Sequence, residues 1–188
     1  THQGAMGYYP IMAAKDGMVG IASVCSPPNM APFGAKAAGV HNSPIAIAAP
    51  GNEHTLVLDM ATSVVAGGKL DLAIDRDQDI PLGWALVMEG KPTTEPRRPN
   101  ILLPAGGPKG SGLALMFECL SSLMVGNPLL EPTITKAKEM PRGVQNSFIA
   151  AINISTFTDI NEYKSNIDKL IKAEKGLPAA DGVDEVIV

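Results

Sequence analysis

An α/β or α+β architecture is predicted by three observations. Strand-like runs alternate with helix-like runs along the chain. Aromatic residues make up only 4% against 45% hydrophobic, so the core must be aliphatic. Gly and Pro, 19 and 16 of 188 residues, break the chain with no collagen-like period, which implies many ordered turns. The apolar share and a mean hydropathy of +0.12 exclude a disordered chain. No internal repeat or low-complexity tract is present.

The elements follow in order. Tyr8–Ala14 reads as helical, with Pro10 tolerated only in the first turn and Gly17 as the stop. Met18–Cys25 is a continuous apolar run ending at the breaker cluster Ser26-Pro27-Pro28-Asn29, so it reads as a buried strand. Residues 26–44, rich in Pro, Gly and Asn, read as a long ordered loop. Ile45–Ala49 and Thr55–Leu58 form two short strands, and the Gly51–His54 turn between them predicts a hairpin. Asp59–Ser63 is expected to lead into a helix running to about Ile74. A short hairpin is predicted around Met88–Lys91. The Pro/Gly-rich stretch 96–108 approaches the longest helix, Lys109–Val125, whose apolar residues lie almost all round it. That pattern predicts burial on every side. An exposed loop with a short charged helical piece is expected over 127–145. Phe148–Ile154 reads as a strand. Asn161–Lys175 reads as an amphipathic helix with Ile160, Tyr163, Ile167, Leu170 and Ile171 on one face, and Val183–Val188 as a final strand.

Charge narrows the function. The net charge of −4 argues against a nucleic-acid surface, which needs clustered Lys and Arg. The apolar stretches are too short to cross a bilayer, and no secretory start is visible. Two cysteines, Cys25 and Cys119, sit in apolar contexts and read as two buried thiols. Three scattered histidines, His2, His41 and His54, lack metal-ligand spacing, so no metal site is expected. There is no G-x-G-x-x-G after the first strand, no Walker A order and no G-x-S-x-G, so Rossmann, P-loop and serine-hydrolase readings lack support.

Three segments concentrate chemistry. Gly106-Gly107-Pro108-Lys109-Gly110-Ser111-Gly112 opens the long helix. Glycines let backbone amides approach an anion, the helix start carries partial positive charge, and Lys109 adds a full one. The same loop also suits a tight turn into a packed helix, and the two readings are evenly balanced. Leu56–Ser63 places Asp59 at a strand end, where it accepts from ribose hydroxyls or, more commonly, caps a helix. His2 precedes a helix, and the helix dipole favours its neutral, proton-accepting form. A histidine near a chain end is, however, commonly idle.

Taken together the segments resemble one family. The carriers are H-x-G-A at His2, P-F-G, N-S-P-I-A-I-A-A-P, L-D-M-A-T-S-x-x-A-x-G-K, I-P-x-G-W-A, G-K-P-T-T-E-P and L-L-P-A-G-G-P-K-G-x-G-L-A-L. Their order is similar to that of the malate/L-lactate dehydrogenase family, which includes ureidoglycolate and sulfolactate dehydrogenases, diketogulonate reductase and cyclic-imine reductases. The likeness runs from His2 to about Asp184. It implies an α/β, non-Rossmann nicotinamide-binding fold, a mixed sheet with flanking helices. It also implies hydride transfer between NAD or NADP and C2 of a small 2-hydroxy or 2-oxo acid. His2 is implied as the proton relay. Ser26, Thr55, Leu56, Val57, Leu58, Asp59, Met60, Ala61, Pro108 and Lys109 are implied cofactor positions. His41-Asn42-Ser43-Pro44 stands where relatives often have Gly-Thr-Asn-Pro, which places Asn42 and Ser43 at the substrate. Pro27 also departs from relatives that have a polar or acidic residue there.

The family's Ser-His-Gly region and its Pro-Gly-Glu segment are not in these residues, so the chain is expected to be part of a longer one. Its organisation is expected to be a binding and catalytic core over 1–145, completed by a strand–helix–strand segment over 146–188. A cytoplasmic homodimer acting on a small molecule is implied, with no nucleic-acid or membrane partner. A cyclic-imine reductase and a non-catalytic dinucleotide-binding remnant are the alternative readings.

Overall fold

The computed structural model describes residues 3–97, 100–130 and 143–188. They fold as two compact units built from interleaved stretches rather than from one span followed by another. One unit contains Ser23–Ile45 and Met60–Phe148; the other contains Gly4–Ala22, Ala46–Asp59 and Ile149–Val188.

Four strands make one sheet: β1 (Met18–Cys25), β2 (Ile45–Pro50), β3 (Thr55–Met60) and β7 (Asn146–Asn153), in the order β3-β2-β1-β7. The apolar run of β1 lies inside the sheet and is buried along most of its length, as a strand covered on both faces must be. β2 alternates buried and half-buried residues, the period-two signature of a strand. β2 and β3 form the expected hairpin, closed by the Gly51 amide on the His54 carbonyl at 2.8 Å. β3 is an edge strand and largely exposed.

The unit holding Met60–Phe148 also contains a three-stranded sheet. β4 (Ala85–Leu86) pairs antiparallel with both β5 (Pro92–Thr93) and β6 (Ile101–Leu102). The β4–β5 pair is the predicted hairpin. Met30 joins this layer by bridging Val40 on one side and Leu102 on the other. Met30, Val40, Leu102 and Ala114 form the centre of the core together with Cys25 and Ile80. Fully burying side chains the size of Met, Val or Leu contributes about 1.5–3 kcal/mol each. Helix α2 (Gly67–Asp75) inserts Leu70 into the same core. It begins at Gly67, later than the sequence suggests, because β3 runs on to Met60 and residues 61–66 turn the chain first.

Helix α3 spans Pro108–Ser121, and a separate 3-10 turn follows at Leu123–Val125. Its burial is one-sided, contrary to expectation. Gly110, Ala114, Phe117, Glu118 and Ser121 face inward, while Leu113, Leu115 and Met116 are exposed. Cys119 lies on the exposed side too, so only Cys25 is a buried thiol.

In the other unit, α1 (Tyr8–Lys15) takes Pro10 in its first turn, and α4 (Ile160–Lys175) is the expected amphipathic helix. Asp159 caps α4, accepting the Asn161 and Glu162 amides at 2.9 Å each. Asp168 on α4 accepts the amides of Asn52, Glu53 and His54, clasping the hairpin turn. Partial burial works against the charge of Asp168, but those three donors outweigh it and hold the carboxyl below its usual range. The expected strand at Val183–Val188 is absent. Those residues are irregular and Ile187 is exposed, since β-propensity without a partner strand forms no ladder. The expected charged helical piece falls mostly on 131–142, outside the described residues. No helix among the described residues is long and apolar enough to cross a membrane.

Candidate active site

The glycine-rich turn and residues 62–63, which follow β3, meet in the unit that holds Met60–Phe148. The Thr62 amide donates to the Asn42 carbonyl at 3.0 Å, and the Thr62 carbonyl accepts the Ala105 amide at 2.9 Å. Ser63 bridges Pro104. The first turn of α3 therefore lies directly against residues 62–63, and Gly110 makes this possible: a Cβ there would sit 2.2 Å from the Thr62 carbonyl oxygen. Seven of the sequence-predicted positions share this unit: Ser26, which follows directly on β1, and Asn42, Ser43, Met60, Ala61, Pro108 and Lys109.

The helix start is a narrower anion site than a free cradle. Gly107 adopts φ 61° and ψ −110° just before Pro108, a conformation reserved for glycine. Yet the Gly110 and Ser111 amides are already engaged by the Ala105 and Gly107 carbonyls, at 2.8 and 3.3 Å. What remains for an anion is the Lys109 ammonium, the helix dipole and the weakly held Lys109 amide, 3.4 Å from the Gly106 carbonyl. Ser26 Oγ and Thr62 Oγ1 are among the four buried hydroxyls of this unit, with Ser23 Oγ and Ser122 Oγ, that have no partner among the described residues. Unpartnered buried hydroxyls are costly unless something completes them. Ser26, Thr62, the lysine and the glycine turn fit a phosphate-bearing cofactor.

The substrate side is built on residues 41–43. Asn42 and Asn29 form a reciprocal pair: the Asn42 amide donates to Asn29 Oδ1 at 2.8 Å, and Asn29 Nδ2 donates to Asn42 Oδ1 at 3.0 Å. Asn42 Nδ2 also points at Ser63 Oγ, 3.5 Å away. Ser43 is fully buried, its hydroxyl on Cys25 Sγ at 3.6 Å. Burial pushes the neighbouring His41 imidazole down to about 4, opposed only in part by the Val24 carbonyl, so the ring is neutral. Cys25 is pushed up to about 12 by burial and by its bond to the Glu118 carboxylate.

The remaining sequence-predicted positions, Thr55, Leu56, Val57, Leu58 and Asp59, belong to the other unit and lie on β3. There Asp59 Oδ2 accepts the Gly7 amide at 2.7 Å, immediately before α1. Its carboxylate thus caps a helix, but α1 rather than the helix that follows it in sequence. His2 lies outside the described residues. Sequence reasoning overlooked Asn29 and Glu118. A lone acid inside the apolar run Leu113–Val125 was the available signal for Glu118.

The family described as malate/L-lactate dehydrogenase matches residues 1–188. L-sulfolactate dehydrogenase of Methanocaldococcus jannaschii is 38% identical over all of this chain and 55% of its own length. Its solved structure has a TM-score of 0.83 to this one. Ureidoglycolate dehydrogenase (NAD(+)) of Escherichia coli O157:H7 is 33% identical over 98% of this chain and 54% of its own. The structure of delta1-piperideine-2-carboxylate reductase from Pseudomonas syringae pvar. tomato is similar at a TM-score of 0.74 and 26% identity, over 92% of this chain and 55% of that one. The chain spans about half the length of the curated relatives it matches.

Proposed function

Since the chain belongs to the malate/L-lactate dehydrogenase family, we propose that the complete protein transfers a hydride between NAD or NADP and C2 of a small 2-hydroxy or 2-oxo acid. The observation that supports this reading is the contact of the Ala105–Gly110 turn with Thr62, beside the implied cofactor positions Met60, Ala61, Pro108 and Lys109 in the sequence. Bound nicotinamide would supply or accept the hydride. Lys109 would hold its phosphates, and Pro108, Ser26, Met60 and Ala61 would be further cofactor positions. The resemblance also assigns Thr55, Leu56, Val57, Leu58 and Asp59 to the cofactor; within their own unit Asp59 accepts the Gly7 amide. His2 gives a proton to the substrate oxygen as the carbonyl is reduced, stabilising the charge that develops there. Asn42 carries two N–H donors on its amide, one aimed at Ser63 and the other suited to a substrate oxygen. The family resemblance supports a cytoplasmic homodimer.

The test is oxidation of NADH and NADPH by the complete protein with a panel of 2-oxo acids, followed by absorbance. Turnover with at least one acid is expected, and Lys109→Gln should weaken nucleotide binding about tenfold. A second reading, reduction of a cyclic imine carboxylate, is favoured by the similarity to the piperideine-carboxylate reductase. Piperideine- or pyrroline-carboxylate outpacing pyruvate decides for it. Absence of turnover with every oxo acid and imine would sink both.

A further inference from the structure

Behind Asn42 runs a buried chain of polar side chains. Glu118, on the inner face of α3, is only 5% exposed. Its Oε1 accepts the Leu129 amide at 2.9 Å and its Oε2 accepts the Cys25 thiol at 2.7 Å. The Cys25 sulfur accepts the Ser43 hydroxyl at 3.6 Å, and Ser43 Oγ lies 3.5 Å from His41 Nδ1. No lysine or arginine pairs with Glu118 among the described residues.

Stability alone does not account for this arrangement. A buried carboxylate with no cation beside it among the described residues is costly, and the Leu129 amide needs only one neutral acceptor, which a glutamine would supply. The direction of the chain is more telling. A carboxylate only accepts, so Cys25 must donate to it, and Ser43 must then donate to Cys25. That turns the Ser43 hydroxyl inward and draws residues 41–43 onto the end of β1. Asn42 is covalently next, and the Thr62 amide takes its carbonyl. We propose that Glu118 is a positioning residue for the substrate side of the site, acting through Cys25 and Ser43 to set where Asn42 stands. This rests on the reading above that Asn42 meets the substrate.

The test uses three variants of the complete protein. Glu118→Gln keeps the shape and the acceptor for Leu129, but places an N–H donor where Cys25 requires an acceptor. Cys25→Val removes the middle of the chain. Cys25→Ser keeps both a donor and an acceptor there. Glu118→Gln and Cys25→Val should each raise KM for the organic substrate about tenfold, the size of one lost buried hydrogen bond. The kcat and the nucleotide KM should move less than about twofold, and Cys25→Ser should restore the parent KM. Independently of turnover, the Asn42 side-chain amide resonances should shift in the first two variants and not in Cys25→Ser. A lowered melting temperature with KM and the Asn42 resonances unchanged would reduce Glu118 to a structural part and overturn the proposal. If the parent protein turns over nothing, the functional reading fails, and the Asn42 resonances still decide whether Glu118 positions that residue.

Discussion

His41 and Cys25 show how burial sets chemistry one side chain at a time. The folded chain holds His41 neutral down to about pH 4, whereas the unfolded chain takes up the proton near 6.5. Below 6.5 the unfolded state therefore binds more protons, and protonation favours unfolding. This contribution leaves stability at its full value above about 6.5, lowers it from there to about 4, and is flat below. The total loss is on the order of 3 kcal/mol. Denaturant titrations across that window should show the decline in the parent and lose most of it in His41→Gln. Asp168 acts lower: its carboxyl is held below the usual 3.8, so its contribution is full above 3.8 and is lost as pH falls from there through the lower folded value. Cys25, pushed up to about 12, stays a protonated, buried thiol at neutral pH. A thiol–disulfide reagent on the folded protein should label exposed Cys119 and leave Cys25 unmodified until the chain unfolds.

At the scale of elements, helix ends and close approaches carry the argument. Asp159 satisfies two amides at the start of α4. Asp159→Ala should cost about 1 kcal/mol, read as a shift in the denaturant midpoint with unchanged slope. Gly110 matters differently. An alanine methyl there meets the Thr62 carbonyl at 2.2 Å and the Ala105 amide nitrogen at 2.7 Å, both backbone atoms that cannot step aside. Gly110→Ala should therefore cost about 2–3 kcal/mol and weaken nucleotide binding in the same protein, since it separates α3 from residues 62–63. Calorimetry on the variant checks both.

For the whole molecule, the consequence is linkage between ligand and stability. A nucleotide that binds only the folded state at a hundredfold excess over its Kd adds about 2.7 kcal/mol. For a protein of the relatives' length that is about 3–5 °C in melting temperature. NADH or NADPH should produce such a shift in the complete protein, Lys109→Gln should remove most of it, and comparing the two nucleotides identifies the cofactor.

The sequence alone determined the elements whose signal is local. The apolar run of β1, the hairpin at Gly51–His54, the short hairpin at Met88–Lys91 and the stripe of α4 all form where their periodicity and turn residues put them, because those patterns act over a few neighbouring residues. The motif order likewise led to the family. Tertiary structure alone decided which partners the polar groups found. Asp59 caps α1 from a strand far along the chain, Glu118 reaches Cys25, and α3 leaves Leu113, Leu115 and Met116 exposed. It also decided that Val183–Val188, despite the β-propensity of its valines and isoleucine, is not a strand. A hydrogen bond or a buried face needs a second surface, and nothing in a linear pattern says which distant residues supply it.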